Sequence, residues 1–215
     1  GACDEWVEVE KPVREYNSKG VSFDLDVGTF ALPASLGPQV PPPPNLAGHA
    51  SGAAWDNNVG GVLYLNVGGR ASNRNASPQV ANESYTITRS GPGSSHGDKL
   101  VVTVFGNVET YDNVTSIQAS FGTGNDSLYV STGVTVNLVA SGGSDTDTLT
   151  YLGSGTATLN GDAGKDTLVV GGGVMGGVLH GGDGDDTLRN DSAVNIPLYG
   201  DNNNDTLVGG KPICR

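Results

Sequence analysis

The chain has 215 residues, 34 of them glycine, and its 23 acidic against 11 basic residues give a formal net charge of −12. Only 16% of residues are charged and strong helix formers are sparse, whereas Val, Thr, Leu, Asn and Gly recur, so helical bundles and coiled coils are excluded and an all-β fold is expected. A hydrophobic content of 36%, with four Phe and two Trp, points to a narrow, repetitive core, and the acidic balance argues against nucleic acid as a partner because little here could neutralise phosphates.

In residues 1–60, Trp6 to Glu10 and Val21 to Val27 are candidate strands, Pro41 to Pro44 is a rigid extended spacer and Gly48 to Gly61 is loop-like. The segment reads as an N-terminal arm or cap. In residues 61–120, Val62 to Val67, Ser84 to Thr88, Lys99 to Phe105 and Val114 to Ala119 alternate as half-buried strands and are expected to form degenerate coils of the stack that follows. Residues 209–215 are a C-terminal tail.

Residues 121–208 repeat. Gly122-Thr-Gly-Asn-Asp-Ser-Leu128, Gly143-Ser-Asp-Thr-Asp-Thr-Leu149, Asp162-Ala-Gly-Lys-Asp-Thr-Leu168, Gly182-Asp-Gly-Asp-Asp-Thr-Leu188 and Asp201-Asn-Asn-Asn-Asp-Thr-Leu207 align without gaps, and Asp126, Asp147, Asp166, Asp186 and Asp205 are spaced 21, 19, 20 and 19 apart. A second series, Leu138, Leu159, Leu179 and Leu198, falls ten or eleven residues after each of the first four leucines. Two short strands and two turns in about 20 residues make one coil of a parallel β-solenoid (a β-roll or β-helix), with coils about 4.8 Å apart and both leucine series inside. The stretches between the strands are too short and too glycine-rich for crossover helices.

The acidic turns carry the chemistry. This block holds 11 acids, all Asp, against Lys165 and Arg189. Glycines let carbonyl oxygens turn toward one point, the aspartate adds a carboxylate and the following leucine anchors the turn, which is the oxygen-rich shell a hard cation takes. The candidate metal-site residues are Gly122, Gly124, Asp126, Gly143, Asp145, Asp147, Asp162, Gly164, Asp166, Gly182, Asp183, Gly184, Asp186, Asp201, Asn203 and Asp205. Aspartates stacked coil on coil repel unless cations lie between them, so five turns predict up to four Ca²⁺ ions in one column.

These turns, of the form G-G-x-G-x-D-x-(apolar)-x, resemble the hemolysin-type calcium-binding repeats of the repeats-in-toxin family over about two fifths of the chain. The resemblance implies calcium-induced folding of a β-roll in a secreted protein. It carries metal ligation to Asp126, Asp147, Asp166, Asp186 and Asp205, with backbone oxygens near Gly124, Gly164 and Gly184. The sequence departs from the family in two respects. One edge of the roll keeps the motif while the other is plain, and Asp145 and Asn203 replace the central glycine of their turns.

Other features weigh less. Gly93-Ser-Ser-His-Gly97 fits G-x-S-x-G, but a strand-like Asp98 to Val104 follows where a nucleophile elbow needs a helix, so Ser95 is not read as catalytic and the chain is not read as an enzyme. His49, His96 and His180 share no metal spacing, and the turn positions form no regular Thr/Asn array of the ice-binding kind. N-x-S/T triplets occur at Asn75, Asn82, Asn113, Asn125, Asn190 and Asn204. Cys3 and Cys214 sit at opposite ends and are disulfide candidates within one chain or between chains. No apolar run approaches the length of a membrane span, so membrane insertion is not expected, and no signal peptide is evident at the N-terminus. The expected function is a secreted, calcium-stabilised structural protein at the cell surface or outside it, assembling head to tail with itself into a fibre, matrix or surface layer. The alternative is a monomeric adhesin or carbohydrate-binding module that holds surface glycans through the loops at 68–82 and 89–98, and a secretion module of a larger enzyme is a weaker reading.

Overall fold

The structure is a computed structural model; it describes residues 45–49, 55–74 and 82–210, together with the backbone of two strands nearer the N-terminus. The chain divides into two compact units, Gly1–Pro42 and Pro43–Arg215. In the first, β1 (Val13–Tyr16) pairs antiparallel with β2 (Ser22–Leu25), the latter within the expected Val21 to Val27 strand. The expected strand at Trp6 to Glu10, the Pro41 to Pro44 spacer, Cys3 and Cys214 lie outside the described residues.

The second unit is an all-β parallel solenoid of about 5 coils of ~20 residues. Its regular part runs β8 (Ser127–Val130), β9 (Asn137–Ser144), β10 (Thr148–Tyr151), β11 (Thr156–Ala163), β12 (Thr167–Val170), β13 (Gly176–Asp183), β14 (Thr187–Asn190), β15 (Leu198–Asn202) and β16 (Thr206–Val208). Even-numbered strands stack in parallel on one face in the order β8-β10-β12-β14-β16, and odd-numbered strands on the other in the order β9-β11-β13-β15. The acidic turns join each odd strand to the next even one, and the plain turns close the opposite edge.

Alternation in these strands sends every second side chain inward. Leu128, Leu149, Leu168 and Leu188 stand in register on one face and are fully buried, as the repeat predicts. On the other face the leucine series slips: Leu138 pairs with Ala157, while Ala140 pairs with Leu159, which pairs with Leu179 and then Leu198. A shift of two residues keeps the same face inward, so Leu138 is still buried, one rung aside from where equal spacing put it.

The expectation of degenerate coils over 61–120 needs correction. β4 (Gly61–Leu65) and the second half of β7 (Asn107–Ser120) extend one face in parallel, and β5 (Ser84–Pro92) extends the other. β6 (Asp98–Val104), however, pairs antiparallel with both β5 and β7, so a meander joins the two faces at this end. The reach of the arm is also corrected. The solenoid unit begins at Pro43 rather than 61, because Leu46 and Ala47 are fully buried in its core and β3 (Ala47–Gly48) pairs with β4.

Candidate metal column

Asp126, Asp147, Asp166 and Asp186 lie inside the acidic edge, each at most 2% exposed. Each is tied to its neighbours twice. Its carbonyl oxygen accepts the N–H of the Ser/Thr-Leu strand one coil on, as from Thr148 to Asp126 (2.9 Å), Thr167 to Asp147 (2.8 Å), Thr187 to Asp166 (2.8 Å) and Thr206 to Asp186 (2.8 Å). Its Oδ1 accepts the backbone N–H of the acidic residue one coil back: Glu83 to Asp126 (2.6 Å), Asp126 to Asp147 (2.7 Å), Asp147 to Asp166 (2.8 Å), Asp166 to Asp186 (2.8 Å) and Asp186 to half-buried Asp205 (3.0 Å). The five sequence-predicted aspartates therefore form one column.

The second carboxylate oxygen is the unusual feature. Oδ2 of Asp126, Asp147, Asp166 and Asp186 is buried with no hydrogen-bond partner. Within each turn from the second on, Oδ2 of Asp147, Asp166, Asp186 and Asp205 faces a glycine rung, Gly142, Gly161, Gly181 and Gly200 respectively. A β-carbon at Gly161 would overlap both Asp166 Oδ2 and the carbonyl oxygen of Gly181, and one at Gly142 would overlap Asp147 Oδ2 and lie 2.8 Å from the Gly161 carbonyl oxygen. An orphan carboxylate oxygen and a carbonyl oxygen of the next coil thus converge on one small volume, three times over, the third at Gly181 between Asp186 Oδ2 and the Gly200 carbonyl oxygen. The rung repeats five residues before each of the last four aspartates, a signal present in the sequence but outside the aligned motif. Phe121 takes its place in the first turn.

Burial pushes the carboxyls of Asp126, Asp147 and Asp166 up to about 6, against the lowering effect of the backbone N–H each accepts, and neighbouring carboxylates add to the rise. Asp186 is raised for the same first reason. Glu83, one coil before Asp126 in register, heads the column and was missed because its segment lacks the repeat. It is buried, and Arg74, also buried, forms an ion pair with it. The first rung therefore has a protein cation beside its charge. No ion pair is present for Asp126, Asp147, Asp166 or Asp186 among the described residues.

Of the remaining predicted residues, Gly122 lends its backbone N–H to the Asp126 carboxylate. Asp145, Asp162, Asp183, Asp201 and Asn203 are exposed at the rim. Asp145 Oδ2 accepts the Gly124 N–H (3.0 Å), Asn203 Oδ1 accepts that of Gly184 (3.2 Å), Asp183 Oδ1 accepts the Asn202 side-chain amide (2.6 Å), and Asp201 Oδ2 is 3.1 Å from His180 Nδ1. Gly124, Gly143, Gly164, Gly182 and Gly184 adopt positive φ, as do Asp145, Asp162, Asp201 and Asn203 at equivalent places, so the turn shape survives the two departures from the motif. The Gly122 carbonyl accepts the Ser144 N–H (2.7 Å). Among the described residues, no group of three or more His, Cys, Asp or Glu side chains gathers as a metal centre. Any cation here would draw on one orphan oxygen per coil and on carbonyls.

The other motifs resolve structurally. Gly93 to Gly97 closes the β5–β6 hairpin, with Asn113 Oδ1 accepting the N–H groups of Ser95 (2.8 Å) and His96 (3.2 Å), so no helix follows Ser95. His49 stacks on Trp55 and His180 on Tyr199, far apart in the fold order. Asn113 and Asn190 are buried, which removes those two triplets as glycan acceptors. No helix among the described residues is long and apolar enough to cross a membrane. Comparison with protein-family models, curated proteins and solved structures finds no match.

Proposed function

We propose that this protein is a calcium-stapled solenoid, a secreted structural element that associates with its own kind outside the cell. The observation that carries the reading is the row of four buried carboxylates, each with one oxygen unpartnered. A rise from 3.8 to about 6 costs the folded state about 3 kcal/mol per charged group at neutral pH. Three such groups together approach the whole stability of an ordinary domain. A divalent cation beside each orphan oxygen offsets that cost, as Arg74 does for Glu83.

The donor set fits such an ion. It consists of carboxylate and carbonyl oxygens, without sulfur or imidazole, which suits Ca²⁺ better than a transition metal, and a flexible oxygen shell suits it better than Mg²⁺. The intervals from Asp126 to Asp205 give room for up to four ions, as the repeats-in-toxin resemblance implies. Bound Ca²⁺ supplies charge neutralisation and cross-links successive coils. An acidic solenoid whose stability depends on extracellular calcium suits a fibre, matrix or surface layer.

The test is thermal unfolding of the full chain followed by circular dichroism, with protease resistance alongside, in chelator and in excess Ca²⁺. The reading expects a higher midpoint and slower cleavage with calcium. Identical behaviour in both conditions would remove it.

A further inference from the structure

The buried acids of the solenoid unit fall into two groups. Glu83, Asp98 and Asp112, on or next to β5, β6 and β7, each have a protein cation: Arg74 pairs with Glu83, Arg89 with Asp98 and Lys99 with Asp112 (3.4 Å). Asp126, Asp147, Asp166 and Asp186 have none among the described residues. The ion pairs within the coils, His180 with Asp201 and Arg189 with Asp191, lie at the surface on side chains 40–50% exposed. The first group also has an apolar core of its own. Leu63, Tyr85, Ile87, Leu100, Val102 and Ile117 are fully buried there, and β5, β6 and β7 are joined in antiparallel hairpins, local pairings whose loops cost little entropy to close.

We propose that β3 to β7 form a cap that folds without metal and serves as the template on which the coils order one after another, from Asp126 toward Asp205, as Ca²⁺ binds. The inference rests on the calcium reading above and gives it a starting point. The cap grips the first coil at both edges. On the acidic edge the Glu83 N–H donates to Asp126 Oδ1 (2.6 Å), and the Ser127 N–H donates to the Glu83 carbonyl oxygen (2.7 Å). On the plain edge Asp98 Oδ2 accepts the Thr135 N–H (2.6 Å) and its Oδ1 accepts the Thr135 hydroxyl (2.9 Å). β5 and β7 then supply the strand edges on which β8 and β9 pair.

Later coils find such an edge only on the coil before them, through the strand pairings and the N–H to Oδ1 bond from each aspartate to the next. An uncompensated buried charge is strongly destabilising, so a coil without its ion opens, and because each coil contacts only its neighbours, ordering spreads outward from the part already folded. Arg74 is the permanent counterpart of the ion. Buried beside Glu83, it makes the starting rung independent of calcium.

Hydrogen exchange of the full chain, read by mass spectrometry over a titration from chelator to excess Ca²⁺, tests this. The proposal expects amides of β5, β6 and β7 to be protected about a thousandfold or more in chelator while those of β10, β12 and β14 exchange nearly unprotected, and protection to reach β10 at lower Ca²⁺ than β14. Arg74→Met loses about a hundredfold of the cap's protection in chelator, and adding Glu83→Gln restores most of it. Cap and coils gaining protection together as Ca²⁺ rises, or coils gaining it first at β14, overturns the template while leaving the calcium reading in place. Equal protection of cap and coils in chelator, unchanged by Ca²⁺, overturns both. A double variant no better protected than Arg74→Met overturns the role given to Arg74.

Discussion

Replacing Asp166 with Asn separates the metal column from a ladder of hydrogen bonds alone. The amide oxygen can still accept the Asp147 N–H, now at 2.8 Å from Oδ1, and the amide nitrogen takes the place of the orphaned Oδ2. Without metal the substitution removes a buried charge whose carboxyl is raised to about 6, worth about 3 kcal/mol at pH 7.5. For a chain of this size that is a rise of roughly 6–12 °C in Tm. With metal the sign reverses. Each ion site held at a hundredfold excess over its Kd adds about 2.7 kcal/mol, and Asp166 borders two intervals, so the variant forfeits much of the calcium-induced gain. Urea unfolding of wild type and Asp166→Asn, in chelator and in Ca²⁺, gives all four free energies. A variant that is less stable than wild type in chelator, or that keeps the full calcium response, refutes the reasoning.

Gly161→Ala places a methyl group against Asp166 Oδ2 and the Gly181 carbonyl oxygen; although Gly161 has ordinary negative φ, the variant should lose about 1–3 kcal/mol and bind calcium more weakly, measured by denaturant unfolding with and without the ion. Metal-free protein should lose stability as pH rises from about 4 through about 6, because a carboxyl raised in the fold favours the protonated state, and unfolding midpoints in chelator between pH 4.5 and 7.5 read this directly. Asp112, held down to about 2 by its hydrogen bonds with Ser94, acts in the opposite sense but below that window. Arg74→Met strands the Glu83 charge in the interior and should cost about 3–5 kcal/mol, most of it recovered by adding Glu83→Gln; equal stability of the single and double variants would contradict the pairing.

The coil period, the inward leucines and the aspartate column were legible in the sequence because each rests on spacing that a stack must preserve. What escaped were features that spacing does not encode. Leu138 keeps the interval but not the rung, since a two-residue slip leaves burial unchanged. β6 alternates like a coil strand, and only the partners of β5 and β7 distinguish an antiparallel meander from another coil. Glu83 and Arg74 belong to the column through tertiary pairing across a segment without the repeat. The glycine rung precedes the aligned motif, and only the fold sets it against the carboxylate oxygens. The rim aspartates carry the motif's letters, yet the structure gives their oxygens to backbone N–H groups, a side-chain amide and His180.

Isothermal titration of chelator-stripped full chain with CaCl₂ bears most directly on the buried column. The account predicts saturable uptake of up to four ions per chain, with the stoichiometry reduced in Asp166→Asn. Absence of saturable uptake by a chain that is nonetheless folded would contradict it.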